Sequence, residues 1–311
     1  MDAIIIENLS RSFGPVKALN RLTLHVERGT VFGFLGPNGY GKTTTIRLML
    51  GLLDADEGRA EILGLDTRQH AQEIRSRCGA LLEHHGLYER LSAAENLDYY
   101  GRIWHLDKSS REARTRELLE PLGLYDRRDE PIGRWSRGMK QKLAVARTLM
   151  HRPELVFLDE PTAGLDPVAS AALREDLEAL AAREGVTIFL TTHNLAEAEK
   201  LCTQVGVLNR GQLLAAGSPG DLRTQRSEPR IYISGRFSPE AVEKLQNLPL
   251  VTRIEQKNGQ LVVDLTDMSR SHELVTELVQ LGSQIDEIHK EKADLEQVFL
   301  SLVEEEKAGQ P

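Results

Sequence analysis

Gly36-Pro37-Asn38-Gly39-Tyr40-Gly41-Lys42-Thr43-Thr44 follows the apolar run Val31-Phe32-Gly33-Phe34-Leu35 and precedes Thr45-Ile46-Arg47-Leu48-Met49-Leu50. The first flank reads as a buried strand and the second as a helix, the context a phosphate-binding loop requires. Glycines let backbone N–H groups wrap an anion, and the positive end of the helix adds to the attraction. Lys42 reaches the β- and γ-phosphates as a mobile cation, while the Thr43 hydroxyl suits magnesium. An accidental match to these fixed positions is expected in roughly one such chain in a hundred, so a plain glycine-rich turn is the weaker reading.

The 311 residues exceed one typical domain, and 40% hydrophobic content is enough for a core, so two domains are expected. No apolar run approaches the roughly 20 residues that span a bilayer, and Met1-Asp2-Ala3-Ile4-Ile5-Ile6-Glu7 lacks the basic start of a signal peptide. A soluble cytoplasmic chain is expected. A net charge of -8 argues against a general affinity for nucleic acid. Cys78 and Cys202 form neither a metal-binding spacing nor a disulfide framework and read as small buried hydrophobes.

Residues 1 to about 30 alternate apolar and polar around Gly14-Pro15, which predicts an antiparallel hairpin. From about 92 to 152 the pattern is helical, with a capping box at Ser92-Ala93-Ala94-Glu95 and a second candidate at Ser109-Ser110-Arg111-Glu112. Strands at Leu155 to Leu158, Val186 to Leu190 and Val205 to Leu208 alternate with helices over about 167 to 184 and after Asn194, which predicts a parallel sheet covered by helices. The polar stretch 223–230 reads as a linker. Beyond it the order β-α-β-β-α-β, with Ser238-Pro239-Glu240 opening a helix and Asn258-Gly259 as a hairpin turn, predicts a ferredoxin-like unit over 231–311. The expected class is α/β with a small α+β domain appended.

Leu155-Val156-Phe157-Leu158-Asp159-Glu160 is a buried strand ending in two carboxylates. Beside a phosphate loop, Asp159 is placed to hold the metal or its water, and Glu160 to orient or deprotonate the water that attacks the γ-phosphate.

Together with Trp135-Ser136-Arg137-Gly138-Met139-Lys140-Gln141, Ala163-Gly164-Leu165-Asp166 and Thr191-Thr192-His193, these motifs resemble, in order, the ATPase subunits of ABC transporters over residues 1 to about 222. The resemblance implies a P-loop ATPase domain with a mixed sheet core, an antiparallel β-subdomain and a helical subdomain at about 92–152. It implies ATP and Mg2+ as ligands, and a head-to-tail homodimer, or a pair with a related subunit, that sandwiches two ATP molecules. Ser136 and Gly138 then match the signature that closes over the γ-phosphate bound by the opposite subunit, with Asp166 at the subunit boundary. His193 resembles the switch histidine at that phosphate, and Phe13 the aromatic that stacks on adenine, with Val16 beside it.

Three positions depart from the family's commonest pattern. Ser-x-Gly-Met-Lys-Gln is typical of exporter subunits resembling the daunorubicin-resistance and sodium-extrusion ATPases, as are the segments Gly86 to Leu97 and Asp294 to Leu300. Glu83 falls where a metal-reaching glutamine is usual, and a carboxylate there can still ligate magnesium. Tyr40 replaces a small residue, and its ring is expected to approach the dimer seam. His84 and His85 read as surface residues. The implied function is a peripheral ATPase on the cytoplasmic face of the plasma membrane, driving export through a separate transmembrane permease contacted by residues 83 to about 100. The rival is a soluble ABC ATPase that remodels ribosomes or DNA. A third possibility gives the C-terminal domain an effector-binding role.

Overall fold

The computed structural model describes residues 1–226, 230–257, 260–290 and 294–308. It divides into two compact units, Met1–Pro219 and Gly220–Pro311.

The first unit opens with the long hairpin β1 (Asp2–Phe13) and β2 (Val16–Glu27), turning at Gly14-Pro15. Then come β3 (Val31–Leu35), α1 (Lys42–Met49), β4 (Glu57–Ile62), β5 (Leu65–Asp66), α2 (Ala71–Arg77) and β6 (Cys78–Leu81). The helices α3 (Ala93–Ile103), α4 (Lys108–Leu119) and α5 (Arg137–Thr148) follow, then β7 (Leu155–Asp159), α6 (Pro167–Glu184), β8 (Thr187–Thr192), α7 (Leu195–Leu201), β9 (Gln204–Asn209) and β10 (Gln212–Gly217).

Two sheets result. The hairpin joins an antiparallel sheet of order β2-β1-β4-β5, and the other sheet runs β10-β9-β3-β8-β7-β6, parallel except for the β10–β9 pair. β3 and β7, apolar except for the terminal Asp159 and buried at every position, have the signature of strands covered on both faces. Phe189 lies within 5.5 to 5.8 Å of Phe32, Phe34 and Phe157, ring centre to ring centre, and these aromatics share one core with Ile4, Ile6, Leu22, Ile46 and Met49. β4 and β5 went unread in the sequence because Glu57-Gly58-Arg59-Ala60-Glu61 is mostly polar; only Ala60 and Ile62 face inward.

The helix caps refine the expectations. Ser92 makes the expected capping box with Glu95. The second helix starts at Lys108, not after Ser109, because Asp107 takes the cap. Its carboxylate accepts from the Ser110 amide at 3.0 Å and from the hydroxyls of Ser109 and Ser110, bonds that hold the acid well below its usual range. Arg114 ties α4 to its surroundings, buried and bonded at 2.7 Å to both Glu184 and the Leu149 carbonyl. Cys78 and Cys202 are buried, and burial pushes both thiols up to about 12, so they remain protonated packing residues.

In the second unit α8 (Pro219–Arg226) occupies part of the polar stretch read as a linker; residues 227–229 lie outside the described residues, as does the Asn258-Gly259 turn. β11 (Arg230–Arg236), α9 (Pro239–Gln246), β12 (Val251–Lys257), β13 (Gln260–Leu265), α10 (Ser271–Gln280) and β14 (Gln284–Lys290) follow, then α11 (Leu295–Ala308). The sheet order β12-β13-β11-β14, antiparallel throughout, is the split β-α-β arrangement that the element order predicts. Ile231, Ile233, Leu245, Leu261, Val263, Leu274 and Leu278 form its core.

Candidate nucleotide site

β3, β8 and β7 are neighbours, so the loops leaving their carboxyl ends lie side by side. The register is tight: Leu35 pairs with Thr192, and Asp159 with Thr191. β3 is flanked by β8 on one side and β9 on the other, the strand-order switch at which open α/β sheets receive ligands.

The loop after β3 wraps into α1 through Gly41, whose φ of +100° is in the glycine-favouring region. A Cβ there would also collide with the Ala18 carbonyl oxygen of β2. No side chain caps α1, so its leading N–H groups face the cavity unclaimed by a cap. Lys42 is buried; its ammonium donates to the carbonyl of Gly36 at 2.6 Å and to Asn38 Oδ1 at 3.3 Å, and lies 3.0 Å from Glu160 Oε1 as an ion pair. Tyr40 is half-buried and packs against the hydrophobic core, where an aromatic ring finds apolar contact.

Thr43 Oγ1 donates to Asp159 Oδ2 at 2.7 Å across the cavity. This hydroxyl and carboxylate form an all-oxygen donor set that fits a hard divalent cation such as magnesium. Glu160, just beyond β7, has φ +50°, and its Oε2 lies 2.9 Å from His193 Nδ1. The carboxylate thus sits between the phosphate-loop lysine and the histidine after β8.

Phe13, Val16, Asn38, Gly39, Gly41, Lys42, Thr43, Thr44 and Glu160 line one cavity of about 250 Å³. Phe13 is 46% exposed, not a core residue, with the Arg11 guanidinium 5.0 Å from its ring centre, and Val16 beside it is also exposed. A second cavity, of about 470 Å³, shares Asn38, Gly39, Thr43 and Glu160 and adds Asp159, Glu83 and Arg137. Glu83 stands at its rim, its side chain 74% exposed and 4.0 Å from Arg47, so it is not fixed beside Asp159.

Ser136 and Gly138 begin α5. Ser136 caps that helix, its hydroxyl accepting from the Met139 amide at 3.3 Å, and it remains exposed. Asp166 caps α6 by accepting from the amides of Val168 and Ala169, each at 3.0 Å. Two side chains that the motifs contain but to which the sequence reading gives no role join these parts. Arg137 donates to the Ala163 carbonyl at 2.8 Å, tying the signature to the loop that carries Asp166, and buried Thr191 contacts both Asp159 and Glu160. Only a long-range pairing reveals such contacts, so no local pattern marks them. The segment expected to meet a membrane partner exposes Tyr88 and Tyr99, and Ile103 just beyond it is exposed as well. His84 is exposed and His85 lines the larger cavity; no group of metal-binding side chains involving them occurs among the described residues. No described helix is long and apolar enough to cross a membrane.

A family model for ABC transporters matches residues 19–163, and one for the C-terminal domain of DrrA1-3-like ATP-binding proteins matches residues 217–303. Daunorubicin resistance ATP-binding protein DrrA3 of Streptomyces coeruleorubidus is 35% identical over 96% of this chain and 95% of its own length. Bacitracin transport ATP-binding protein BcrA of Bacillus licheniformis is 34% identical over 95% of both chains. Among solved structures, an ATP-binding subunit of an ABC transporter superposes with a TM-score of 0.63 at 32% identity, covering 72% of this chain and 92% of the other.

Proposed function

The chain belongs to the ABC transporter family as an ATP-hydrolysing subunit that powers a membrane partner, and from that premise we propose how its residues divide the work. The observation that carries the reading is the convergence of Lys42, Thr43, Asp159, Glu160 and His193 at the ends of three adjacent parallel strands.

Amides of the Gly36–Thr44 loop and the N-terminus of α1 hold the phosphates, and Phe13 stacks on adenine with Val16 beside it. Lys42 exchanges its carbonyl and carboxylate contacts for the β- and γ-phosphates. Thr43 and Asp159 would hold magnesium, and Glu83, on the lining of the same cavity, would add a further carboxylate there. When bound, that ion neutralises charge on the phosphoryl oxygens. Glu160 accepts a proton from the attacking water as its oxygen bonds to the γ-phosphorus and the bond to the β,γ-bridging oxygen breaks, giving ADP and phosphate. His193 restrains the Glu160 carboxylate through the contact seen at 2.9 Å.

Ser136 and Gly138 serve the ATP held by a second copy, and Asp166 lies at the boundary between the two. Loss of the γ-phosphate contacts then opens the pair. The subunit works on the cytoplasmic face of the membrane in export; its likeness to a daunorubicin-resistance and a bacitracin-transport ATP-binding protein supports the transport part of this reading. Tyr88, Tyr99 and Ile103 face the permease.

Affinity purification of tagged Glu160→Gln protein from mildly solubilised native membranes, with ATP and magnesium, tests this reading. A polytopic membrane protein at near-equal stoichiometry is expected. Ribosomal or DNA-bound partners with no membrane protein would contradict it.

A further inference from the structure

Thr191 is the fifth residue of β8 and is fully buried. Threonine suits a strand for its β-branched shape alone, and valine would fill the same space without a polar atom. A hydroxyl in such a place is costly unless bonded. Here it has two partners: it donates to Asp159 Oδ1 at 2.5 Å and accepts from the Glu160 amide at 3.0 Å. The same amide lies 3.1 Å from the Thr191 carbonyl.

The consequences differ for the two acids. Asp159 is gripped at both oxygens, Oδ1 by Thr191 and Oδ2 by Thr43, so its carboxylate has one orientation toward the cavity. Glu160 occupies the left-handed region at φ +50°, unfavourable for a side chain of its size, and its amide is directed at both oxygens of Thr191. That backbone conformation aims the Glu160 side chain between Lys42 and His193.

We infer that Thr191 is a positioning residue for hydrolysis, its single hydroxyl orienting the Asp159 carboxylate toward the metal and holding the Glu160 backbone turn. The inference rests on the reading of Asp159 as the magnesium partner and Glu160 as the base. Thr191 is itself fully buried and lies on the lining of neither cavity. Replacing a group that orients a metal-binding side chain commonly costs about 10- to 100-fold in metal affinity or activity.

The test uses the full chain with Thr191→Val, Thr191→Cys and Thr191→Ser, and Asp159→Asn as the reference. Mn2+ replaces magnesium, and its affinity for the ATP-loaded protein is read by electron paramagnetic resonance; ATP affinity in excess chelator and the thermal midpoint are measured alongside. Thr191→Val is expected to bind metal-free ATP within twofold of the parent, to hold Mn2+ about 10-fold more weakly and to hydrolyse ATP at least 10-fold more slowly. Thr191→Ser should restore both to within threefold. If the valine variant does not fold, the cysteine variant, close in size and a poor donor, is expected to show the same pattern. Weak Mn2+ binding in Asp159→Asn with unchanged Mn2+ binding in the folded hydroxyl-free variant would overturn the role of Thr191 alone. Unchanged Mn2+ binding in Asp159→Asn would overturn the metal assignment and the inference with it.

Discussion

α1 and α5 both begin at motif residues, and they begin in opposite ways. α1 starts from a left-handed glycine with no side-chain cap, and its first donors open on a cavity that already holds Lys42, Thr43 and Glu160. α5 starts from Ser136, whose hydroxyl takes the Met139 amide at 3.3 Å. One end is left uncapped beside that cavity; the other is satisfied within the chain, exposed, and holds its cap by a long bond. The difference suggests a division of labour in which a single copy binds ATP at α1, whereas α5 acts only on ATP presented by another copy.

The sharpest break in that comparison is at Lys42. Lys42→Ala removes a buried cation from the α1 end, and ATP binding measured by calorimetry should weaken about 100-fold or more, the scale of a lost charged contact. Unchanged affinity would remove α1 from the phosphate role. Ser136→Ala tests the other side: steady-state hydrolysis should fall about 30-fold while ATP affinity of the dilute chain stays within twofold. Equal losses in both would mean that α5 serves its own chain.

Both helix ends were legible in the sequence because their chemistry is local. Gly41, Lys42 and Thr43 must be consecutive for the backbone to turn and the side chains to face one anion, and Ser136 sits one residue before its helix. What escaped reading was carried by pairing across the chain. Thr191 gains its partners only because β7 and β8 align Asp159 with it, and Arg137 reaches Ala163 across 26 positions. The segment Glu57–Ile62 has too few inward residues to announce a strand, and Asp107 outcompetes Ser109 as a cap because a carboxylate accepts three bonds at once. The C-terminal unit was readable from its Ser238-Pro239 cap and its alternating strands, which are again local signals.

Two smaller effects sharpen the picture around α1. Phe13→Ala should weaken ATP binding about 5- to 10-fold, the worth of one base stacked on an aromatic ring, and should weaken a nucleotide with an abasic ribose far less. Glu83→Gln should change the magnesium dependence of hydrolysis by less than about threefold, because the side chain is mostly exposed and its pairing with Arg47 is weak. A larger change would make Glu83 a direct ligand in the working state.

The central claim, that one copy's α5 completes the ATP site on another copy's α1, is tested most directly by light scattering on Glu160→Gln with magnesium and ATP. The account predicts a monomer without nucleotide, a dimer with two ATP bound when it is present, and a return to monomer when Ser136→Ala is added. A Glu160→Gln protein that binds ATP and remains monomeric at every concentration would contradict it.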